Sequence, residues 1–576
     1  MKQVTRRFGF GLLAMIVATV TALAATPTLQ AASDDSSFAA AVDLEPFGRM
    51  AVFTDGRLKS FASHASAMMQ FVSGSRRIDG HAPGFTYLDL LFRPAAYADV
   101  AIIFVKKKPI RAELVQAMRN SAMFMRSSDA EAELERFLDT GLIRASWLTD
   151  PTVAELRARL SRDLMRYAKP MGEIDTALAV NDPRVLGQAL RLLPPADESV
   201  QSPWRAIADA SRPEIAGSYG PKAALVQEVG RQWEALRAAW AAQDAAGVNA
   251  AAAILVDRLP ELAPAIYPDQ SRLGWESWYF RSANMTWVWI VYVFSAIFFV
   301  MATAYRWRWA WLVGLGIFLA AFGLHTFALG LRWYVSGRWP NSNMFEAVTT
   351  AAWFGGCLAL VLEVGLRRTP MRSMFGLGSA VASMTALMAA YYLPLQLNPN
   401  IGNMMPVLHD VWLYIHTNVI IFSYCLIFMA AVVAAAYLVY RIFGGDREYA
   451  RVGGAGSFMS IRPDGSTYLE ANRSSLGVVL DGATMVLMEL SFIMLWTGLV
   501  MGAIWADHSW GRPWGWDPKE VFALNTFLVF AILVHVRMKV KDKGLWTALL
   551  ALFGAVVMLF NWIFINFYIS GLHSYA

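Results

Sequence analysis

The sequence predicts an all-α polytopic membrane protein of about eight transmembrane helices, preceded by an exported, mostly helical soluble domain. Of the 576 residues, 56% are hydrophobic and only 16% are charged, whereas soluble globular proteins carry about 25% charged residues. The apolar residues form long runs after residue 285. Basic residues stand in short groups between these runs, a pattern typical of membrane topology. It argues against nucleic-acid binding despite the net charge of +6.

Residues 1–32 predict an export signal, either a cleaved signal peptide or an uncleaved signal anchor. A basic amino terminus precedes the apolar run 8–25, and small residues at 22–24 suit a cleavage site. Residues 29–31 offer a second cleavage site. Either form of the signal places the next segment outside the cytoplasm.

Residues 33–270 have the composition of a soluble, mostly helical domain. The stretch from Asp43 to Val105 mixes short apolar runs with glycines, which allows strands there. His64 and His81 stand alone in the sequence, and we find no metal-ligand cluster or catalytic constellation in this region.

Three helices are predicted within this domain. Asp150 before Pro151 is a helix start, because an Asp side chain accepts backbone N–H groups and proline loses nothing at the first helical position. The run 154–167 places leucines on one face at a spacing of four. The Ala-rich run 223–259 predicts two helices with a break near 245–247.

Residues 285–576 are predicted to be the membrane domain. Eight apolar runs are each long enough to cross about 30 Å of hydrocarbon at about 1.5 Å per residue. The predicted spans are 285–304, 309–331, 344–365, 374–393, 413–440, 482–505, 518–536 and 545–569.

The charges of the connecting loops predict the orientation. If the soluble domain lies outside, the inward loops carry 14 Lys and Arg residues and the outward loops carry four. This bias follows the positive-inside rule and agrees with the export signal. The carboxyl terminus is then extracytoplasmic, and a bacterial cytoplasmic membrane is the predicted location.

The apolar runs also contain cysteines and carboxylates. Cys357 and Cys425 form neither a CxxC nor a CxxCH motif, so we expect buried, inert thiols. Glu346, Glu363 and Glu489 indicate either a proton or water path or hydrogen bonds between helices.

A Trp-rich segment, residues 505–520, is predicted on the outer side between two histidines. It contains four tryptophans and ends in a run of charged residues. His416 lies near the outer end of the fifth span, and His573 lies beyond the eighth. Tryptophans at a membrane boundary commonly form an interfacial belt. The combination with two imidazoles also suits a porphyrin, whose faces stack on indoles and whose iron takes imidazole ligands.

The string WGRPWGWDPKE in this segment resembles the Trp-rich, or WWD, signature of haem-handling proteins of cytochrome c maturation, in particular the CcsA/ResC branch of the system II synthase. Other strings resemble further segments of that family in the same order. They are RWYVSGRWPNSNMFEA (332–347), VWLYIHTNVIIFSY (411–424), LVHVR (533–537) and NFYISGLHSYA (566–576).

The resemblance implies roles for individual residues. His416 and His573 correspond to the axial ligands of an external, non-covalently bound haem b. The pocket around that haem would contain Trp510, Trp514, Trp516 and Asp517. His508 does not belong to the family pattern, and His409 is an alternative ligand if the fifth helix begins early.

The resemblance also implies a second, inner haem site at His535. His535 lies about 25 Å below the outer start of its span, whereas His325 lies only about 9 Å below the outer end of its own. Two ligands of one iron should share a depth, so these histidines are not predicted to pair. His325 is therefore a ligand, a propionate contact or a hydrogen-bonded packing residue.

The arginines of the predicted outer loops are our own candidates for contacts with the haem propionates. They are Arg332, Arg338 and Arg512. Each is chosen because carboxylates pair preferentially with arginine. The alternative is that each is a solvated loop charge.

Cytochrome c maturation is the function that the resemblance implies. The chain would act in a holocytochrome c synthase, presenting haem for thioether attachment to the CxxCH segment of an exported apocytochrome c. A CcsB/ResB-like membrane subunit is the expected partner, and thiol-reducing proteins are further candidates. The alternatives are a haem exporter or chaperone without ligation activity, and a quinone- or solute-handling membrane protein.

The exported region carries a weaker resemblance. GRMAVFTDGRLKSFASHA (48–65) is similar to extracytoplasmic extensions of some CcsA-type proteins, and LGWESWYFRSANMTWVW (273–289) is similar to the entry to their first span. A docking role for the apocytochrome or the partner is the corresponding expectation.

Overall fold

The computed structural model describes residues 36–576 except 55, 76–77, 79, 127–128, 164–166, 404–408, 446–448, 451–458, 462–466, 470–474, 567–568 and 570–576. The predicted export signal and His573 lie outside the described residues. The chain divides into two compact units, with the boundary between Ser282 and Ala283.

The first unit is mostly helical, as predicted. Its α-helices are Ser36–Ala41, Glu45–Gly48, Phe61–Ser73, Pro83–Phe92, Lys108–Arg119, Ala122–Arg126, Ala130–Thr140, Ala145–Thr149, Pro151–Leu160, Ala168–Val180, Pro183–Ala189, Pro213–Gly217, Ala223–Ala241, Ala245–Leu262 and Gln270–Arg281. Short 3₁₀ helices cover Pro94–Tyr97, Ile207–Ser211 and Gly220–Lys222. Two antiparallel strand pairs complete it, Ala51–Thr54 with Arg57–Ser60 and Ile103–Phe104 with Leu142–Ile143.

A buried carboxylate connects the helices of this unit. Asp89 is 1% exposed and accepts hydrogen bonds from Arg93 Nε at 2.7 Å and from the Trp240 indole at 2.8 Å. The Tyr97 hydroxyl donates to the same carboxylate at 2.9 Å. A buried charge is tolerated when it is paired and hydrogen-bonded, so these contacts join the helix of Asp89 to the helix of Trp240.

The predicted helix boundaries in this unit are partly correct. Asp150 caps the helix Pro151–Leu160 by accepting the Thr152 N–H at 3.0 Å, and the Ala-rich run forms the expected two helices. The prediction of a helix through 167 is wrong, because the helix ends at Leu160. The next residues form a turn in which the Asp163 N–H donates to the Leu160 carbonyl at 3.1 Å, an i→i+3 bond typical of helix ends.

The second unit contains eight helices that are long and apolar enough to cross a membrane, which confirms the predicted fold class. In chain order they are Ala283–Tyr305, Arg308–Ser336, Met344–Gly365, Met374–Tyr392, Val411–Ile442, Leu476–Trp510, Pro518–Arg537 and Lys543–Ile565. The first begins with a 3₁₀ turn, Ala283–Val288, and the eighth ends with a π-helical turn, Phe560–Ile565. A short hairpin, Met459–Ile461 with Thr467–Leu469, lies between the fifth and sixth spans.

The sixth span is longer than predicted. It extends from Leu476 to Trp510, so Trp505 and Trp510 belong to a helix and the true loop is 511–517. The helix ends where Gly511 adopts a φ of 67° and donates its N–H to the Asp507 carbonyl at 2.8 Å. This is an αL cap, for which glycine is the favoured residue.

Polar caps begin several spans. Asn343, Asp410 and Asp517 accept backbone N–H groups at the starts of the third, fifth and seventh spans. These spans begin at the same end of the unit, which carries the connections 337–343, 393–410 and 511–517. We call it the Trp-loop end. Each cap satisfies amide groups that a helix cannot satisfy internally.

The carboxylates in the spans form hydrogen bonds between helices. Glu363 accepts the Trp311 indole N–H at 2.8 Å and the backbone N–H groups of Ser373 and Gly376 at 2.9 Å. These contacts join the second, third and fourth spans, and they fit the hydrogen-bonding interpretation of this residue. Glu489, in contrast, is exposed.

Small residues allow the spans to approach closely. Gly355 of the third span faces Cys425 of the fifth, and an added Cβ at Gly355 would overlap the Cys425 Sγ. Without a strong hydrophobic driving force in the bilayer, spans associate by such close packing. Both cysteines of the chain are free thiols within spans.

We expect Gly355→Ala to destabilise the membrane unit by about 1–3 kcal/mol, because overpacking displaces the neighbouring helix. Thermal unfolding in detergent measures the loss. The double variant Gly355→Ala/Cys425→Ala removes the overlapping sulfur and should recover part of the stability. Equal stability of the double and single variants would contradict this packing.

Candidate functional site

His416 lies in the second turn of the fifth span, at the Trp-loop end. Its Nδ1 is 2.8 Å from the carbonyl oxygen of Gly498 on the sixth span. A carbonyl only accepts hydrogen bonds, so Nδ1 carries the proton and, in the neutral ring, Nε2 carries the lone pair. This is the arrangement in which a second residue orients a histidine ligand of a metal.

A glycine of the sixth span makes room for this ring. A Cβ at Gly502 would lie 2.6 Å from His416 Cε1 and 2.8 Å from Nδ1. The side chain of any other residue would therefore displace the imidazole or break its hydrogen bond to Gly498. The sixth span thus supplies both the acceptor and the space that fix the ring of His416.

His416 lines a cavity of about 250 Å³ at the Trp-loop end. The third, fifth, sixth, seventh and eighth spans and two connections contribute to its wall. Its aromatic and imidazole lining residues are His416, Tyr424, Trp505, Trp514 and Trp562. Its polar lining residues include Asn341, Ser342, Asn343, Thr417, Lys519, Glu520, Asn561 and Asn566. A flat, largely apolar ligand with a polar edge matches such a wall.

The four tryptophans of the Trp-rich segment have different environments. Trp505 is 1% exposed, and its ring centroid is 4.9 Å from that of Trp510 in an edge contact. Trp514 lines the cavity and meets Trp516 edge-on at 5.9 Å. Trp516 is 75% exposed and has a φ of 58°. A left-handed conformation at a bulky residue is strained, and such strain is concentrated at functional sites.

A capping box holds the short loop that carries Trp514 and Trp516. The Asp517 side chain accepts the Lys519 N–H at 3.1 Å. The Glu520 carboxylate accepts the N–H groups of Gly515 at 2.9 Å and Asp517 at 3.1 Å. Asp517 is buried and acts as a helix cap, so its predicted place in a haem pocket is indirect.

Glu346 binds two of the three arginines that we predict as propionate contacts. It is 0% exposed and pairs with Arg332 at 2.8 Å and with Arg338 at 2.9 Å. Arg332 also donates to the carbonyls of Pro399 at 2.8 Å and Asn400 at 3.4 Å. Neither arginine is among the described residues that line the cavity.

The remaining candidates near this end are exposed. Arg512 is exposed in the loop between Trp510 and Trp514. His508 is exposed too, and its Nδ1 lies 4.0 Å from the Asp410 carboxylate. His409 precedes the Asp410 cap and is exposed, so it does not share a helix face with His416. The condition for His409 as an alternative ligand, an earlier helix start, is not met.

The two other predicted membrane histidines occupy separate environments. His325 is buried, and its Nδ1 is 3.3 Å from the Tyr292 hydroxyl. His535 is exposed two residues before the end of the seventh span, and its Nδ1 is 2.8 Å from the Ala531 carbonyl of its own helix. The role of His325 and an inner haem ligand at His535 both stay predictions.

The π-helical turn brings in residues that the sequence analysis missed. Asn561 and Asn566 are five positions apart, which is too wide for one face of an α-helix and matches the i→i+5 period of a π-helix. Both line the cavity, and Asn561 donates to the Tyr424 hydroxyl at 2.7 Å. His573 comes seven positions after Asn566 in the sequence, and an extended chain of that length reaches about 25 Å.

Lys519 was also missed as a site residue. It follows the Trp-rich loop directly, and its side chain lines the cavity from the first turn of the seventh span. The signal was present in the sequence, since Lys519 is one of the four basic residues of the predicted outer loops.

Comparison with known proteins places this architecture in a class. The family model described as "Cytochrome C assembly protein" matches residues 341–573. The matched range includes His416, the Trp-rich segment, His535 and His573, and it begins after His325 and Arg338. An eight-span membrane unit with this site is thus an integral membrane protein of cytochrome c assembly.

Individual relatives narrow the class to a family. "Cytochrome c biogenesis protein CcsA" of Parasynechococcus marenigrum (strain WH8102) is 34% identical over 263 residues, which are 44% of this chain and 83% of the relative. The CcsA protein of Synechococcus sp. (strain CC9605) has the same identity and coverage. That of Porphyra purpurea is 28% identical over 265 residues, 43% of this chain and 82% of the relative. The chain belongs to the CcsA family of cytochrome c biogenesis proteins.

We expect Glu346→Gln to destabilise the membrane unit by about 3–5 kcal/mol, because it leaves the buried Arg332 guanidinium without a charged partner. Unfolding in detergent measures the change. Glu489→Gln, at an exposed position of the sixth span, is the matched control and should cause no loss. Equal stability of the two variants would show that the Glu346 ion pairs do not hold this end of the unit.

Proposed function

We propose that this chain holds haem b at the Trp-loop end of its membrane unit and presents it for thioether attachment to an exported apocytochrome c. Membership of a family that acts in cytochrome c biogenesis supports a role with haem. The observation that carries the proposal is His416, which faces a cavity with its tautomer determined by Gly498. Imidazole with a lone pair on Nε2 is the form that ligates haem iron.

The walls of the cavity fit the rest of the macrocycle. Trp514 and Trp562 supply aromatic surface, and leucine and isoleucine side chains supply apolar surface. Large aromatic side chains stack favourably against extended π-systems. His573 would supply the second axial ligand from the segment after Asn566. The chain's own residues thus bind the iron, orient the macrocycle and limit access of water.

The thiols must come from the substrate. Both cysteines of this chain lie within spans. Bound haem supplies two vinyl groups, and each thiol of a CxxCH segment adds across one of them with its proton, so attachment needs no external oxidant. The predicted orientation would give an exported apocytochrome access to the haem. The distribution of basic residues, 14 on inward loops and four on outward loops, predicts that the Trp-loop end is extracytoplasmic.

A separate CcsB/ResB-like subunit is the proposed partner. The seventh span is the least buried of the eight, and His535 is exposed on it near the opposite end. An ionisable side chain on an exposed membrane helix marks a functional contact by default, because hydrocarbon solvates it poorly. The partner would cover this face and complete an inner haem site with His535.

The protein purified from haem-sufficient cells should show a b-type reduced spectrum. His416→Ala should lower its haem content by about 10-fold or more, since one axial ligand is lost, and added imidazole should restore part of the signal. His409→Ala should retain the spectrum, because His409 lies outside the fifth helix. A wild-type protein without a b-type signal would reject the proposal, and unchanged spectra in both His416→Ala and His573→Ala would place the ligands elsewhere.

Two neighbouring tryptophans should separate haem holding from haem attachment. Trp514→Ala removes cavity wall and should reduce bound haem, as measured by absorbance. Trp516→Ala leaves the wall intact but removes the exposed indole beside it. We expect this variant to keep its haem and to yield several-fold less covalent haem in an apocytochrome reporter co-expressed with the partner.

The same reporter tests the synthase against the chaperone alternative. Wild-type protein that binds haem but yields no covalent haem in the reporter, with the partner present, would favour a haem exporter or chaperone. Loss of bound haem in Trp516→Ala would contradict the separate roles of the two indoles.

A further inference from the structure

The charged residues of the cavity wall are few. Among the described lining residues, Lys519 is the one lysine or arginine and Glu520 the one carboxylate. One oxygen of the Glu520 carboxylate accepts two backbone N–H groups of the Trp-rich loop, which anchors this group to the protein. The other polar groups of the described lining residues are amides, hydroxyls, indoles and the imidazole of His416. The cavity therefore offers an anionic ligand a single cationic side chain.

The arginines near this end are committed elsewhere. Arg332 and Arg338 both pair with the buried Glu346, and Arg332 also donates to the carbonyls of Pro399 and Asn400. Neither arginine is among the described residues that line the cavity. Arg512 is exposed in the loop and does not line the cavity. A carboxylate within the cavity thus has Lys519 as its cationic partner among the described lining residues.

Lys519 lines the cavity from the start of its helix. Lys519 lies in the first turn of the seventh span, whose start is fixed by Pro518 and by the Asp517 cap. Helical side chains lean towards the amino terminus of their helix, which here is the Trp-rich loop.

The geometry points to Lys519 as the anchor for a carboxylate of the ligand, which makes the substrate class a free-acid porphyrin with its propionates ionised. This inference rests on the proposed function and concerns the orientation of the bound macrocycle. In protoporphyrin the propionates and the vinyl groups occupy opposite sides of the ring. An ion pair at Lys519 turns the vinyl side of the macrocycle away from the start of the seventh span. It thereby selects one rotational orientation of the macrocycle about the axis through the iron.

Titration of the full-length protein, purified from haem-depleted cells and placed in nanodiscs, tests the anchor. The two ligands are ferric haem and its dimethyl ester, in which both propionates are neutral methyl esters, and binding is followed by absorbance. Wild-type protein should bind haem about 10- to 100-fold more tightly than the ester, the range expected for a hydrogen bond between charged groups.

Lys519→Met keeps the apolar stem and removes the charge. It should lose the preference for haem by weakening haem binding while leaving ester binding unchanged. Lys519→Arg should retain most of the preference. Lys539→Met, at an exposed position near the opposite end of the same helix, is the control and should behave as wild type.

The outcomes separate this inference from the proposed function. Wild-type protein that binds haem and ester equally would overturn the anchor and leave haem binding intact. Equal weakening of both ligands in Lys519→Met would assign Lys519 a structural role and would also overturn the anchor. Wild-type protein that binds neither ligand would instead reject the proposed haem site.

Discussion

The buried carboxylate of Glu346 is the group on which the geometry of the Trp-loop end depends. It pairs with Arg332 and Arg338 and accepts the backbone N–H of Ser342 at 2.7 Å. The loop held in this way reaches the fifth span, where the Trp339 indole donates to Asn418 at 2.9 Å and Asn341 donates to Thr417 at 3.1 Å. These contacts fall on the two residues that directly follow His416 in the chain. A charge cluster in one pair of helices thus supports the position of an imidazole in another.

The sixth and seventh spans complete that support from the other side. Gly498 accepts the His416 N–H, and Gly502 leaves space for the ring. The Glu520 carboxylate holds the Trp-rich loop by accepting the backbone N–H groups of Gly515 and Asp517. The site is therefore assembled on rigid helix ends, and its loop is short. Such placement suits a protein that must hold a macrocycle in a defined orientation, because positional error in a site is costly.

The sequence analysis predicted much of the membrane unit and less of the site. Hydropathy determined the eight spans, since no irregular backbone can be exposed to lipid and only helices satisfy their own amides there. Histidine and tryptophan positions predicted that His416 and Trp514 share one end of the unit, and both line the cavity there. The arginines were assigned as propionate contacts from their charge and their predicted side of the membrane alone. This reasoning could not reveal that Glu346, a carboxylate within a predicted span, lies against Arg332 and Arg338. Asn561 and Asn566 were missed because the α-helical period does not place them on one face.

By itself, the sequence determined the fold class and the number of spans, and it predicted which segments carry the candidate site. Those features depend on local composition, which can be evaluated in a window of about 20 residues. Only the tertiary structure decided which nitrogen of His416 carries the proton, which tryptophan lines the cavity and which cation faces it. These depend on contacts such as that between His416 and Gly498, 82 residues apart in the chain. Packing between helices determines these features, and the periodicity of a single helix carries no information about that packing.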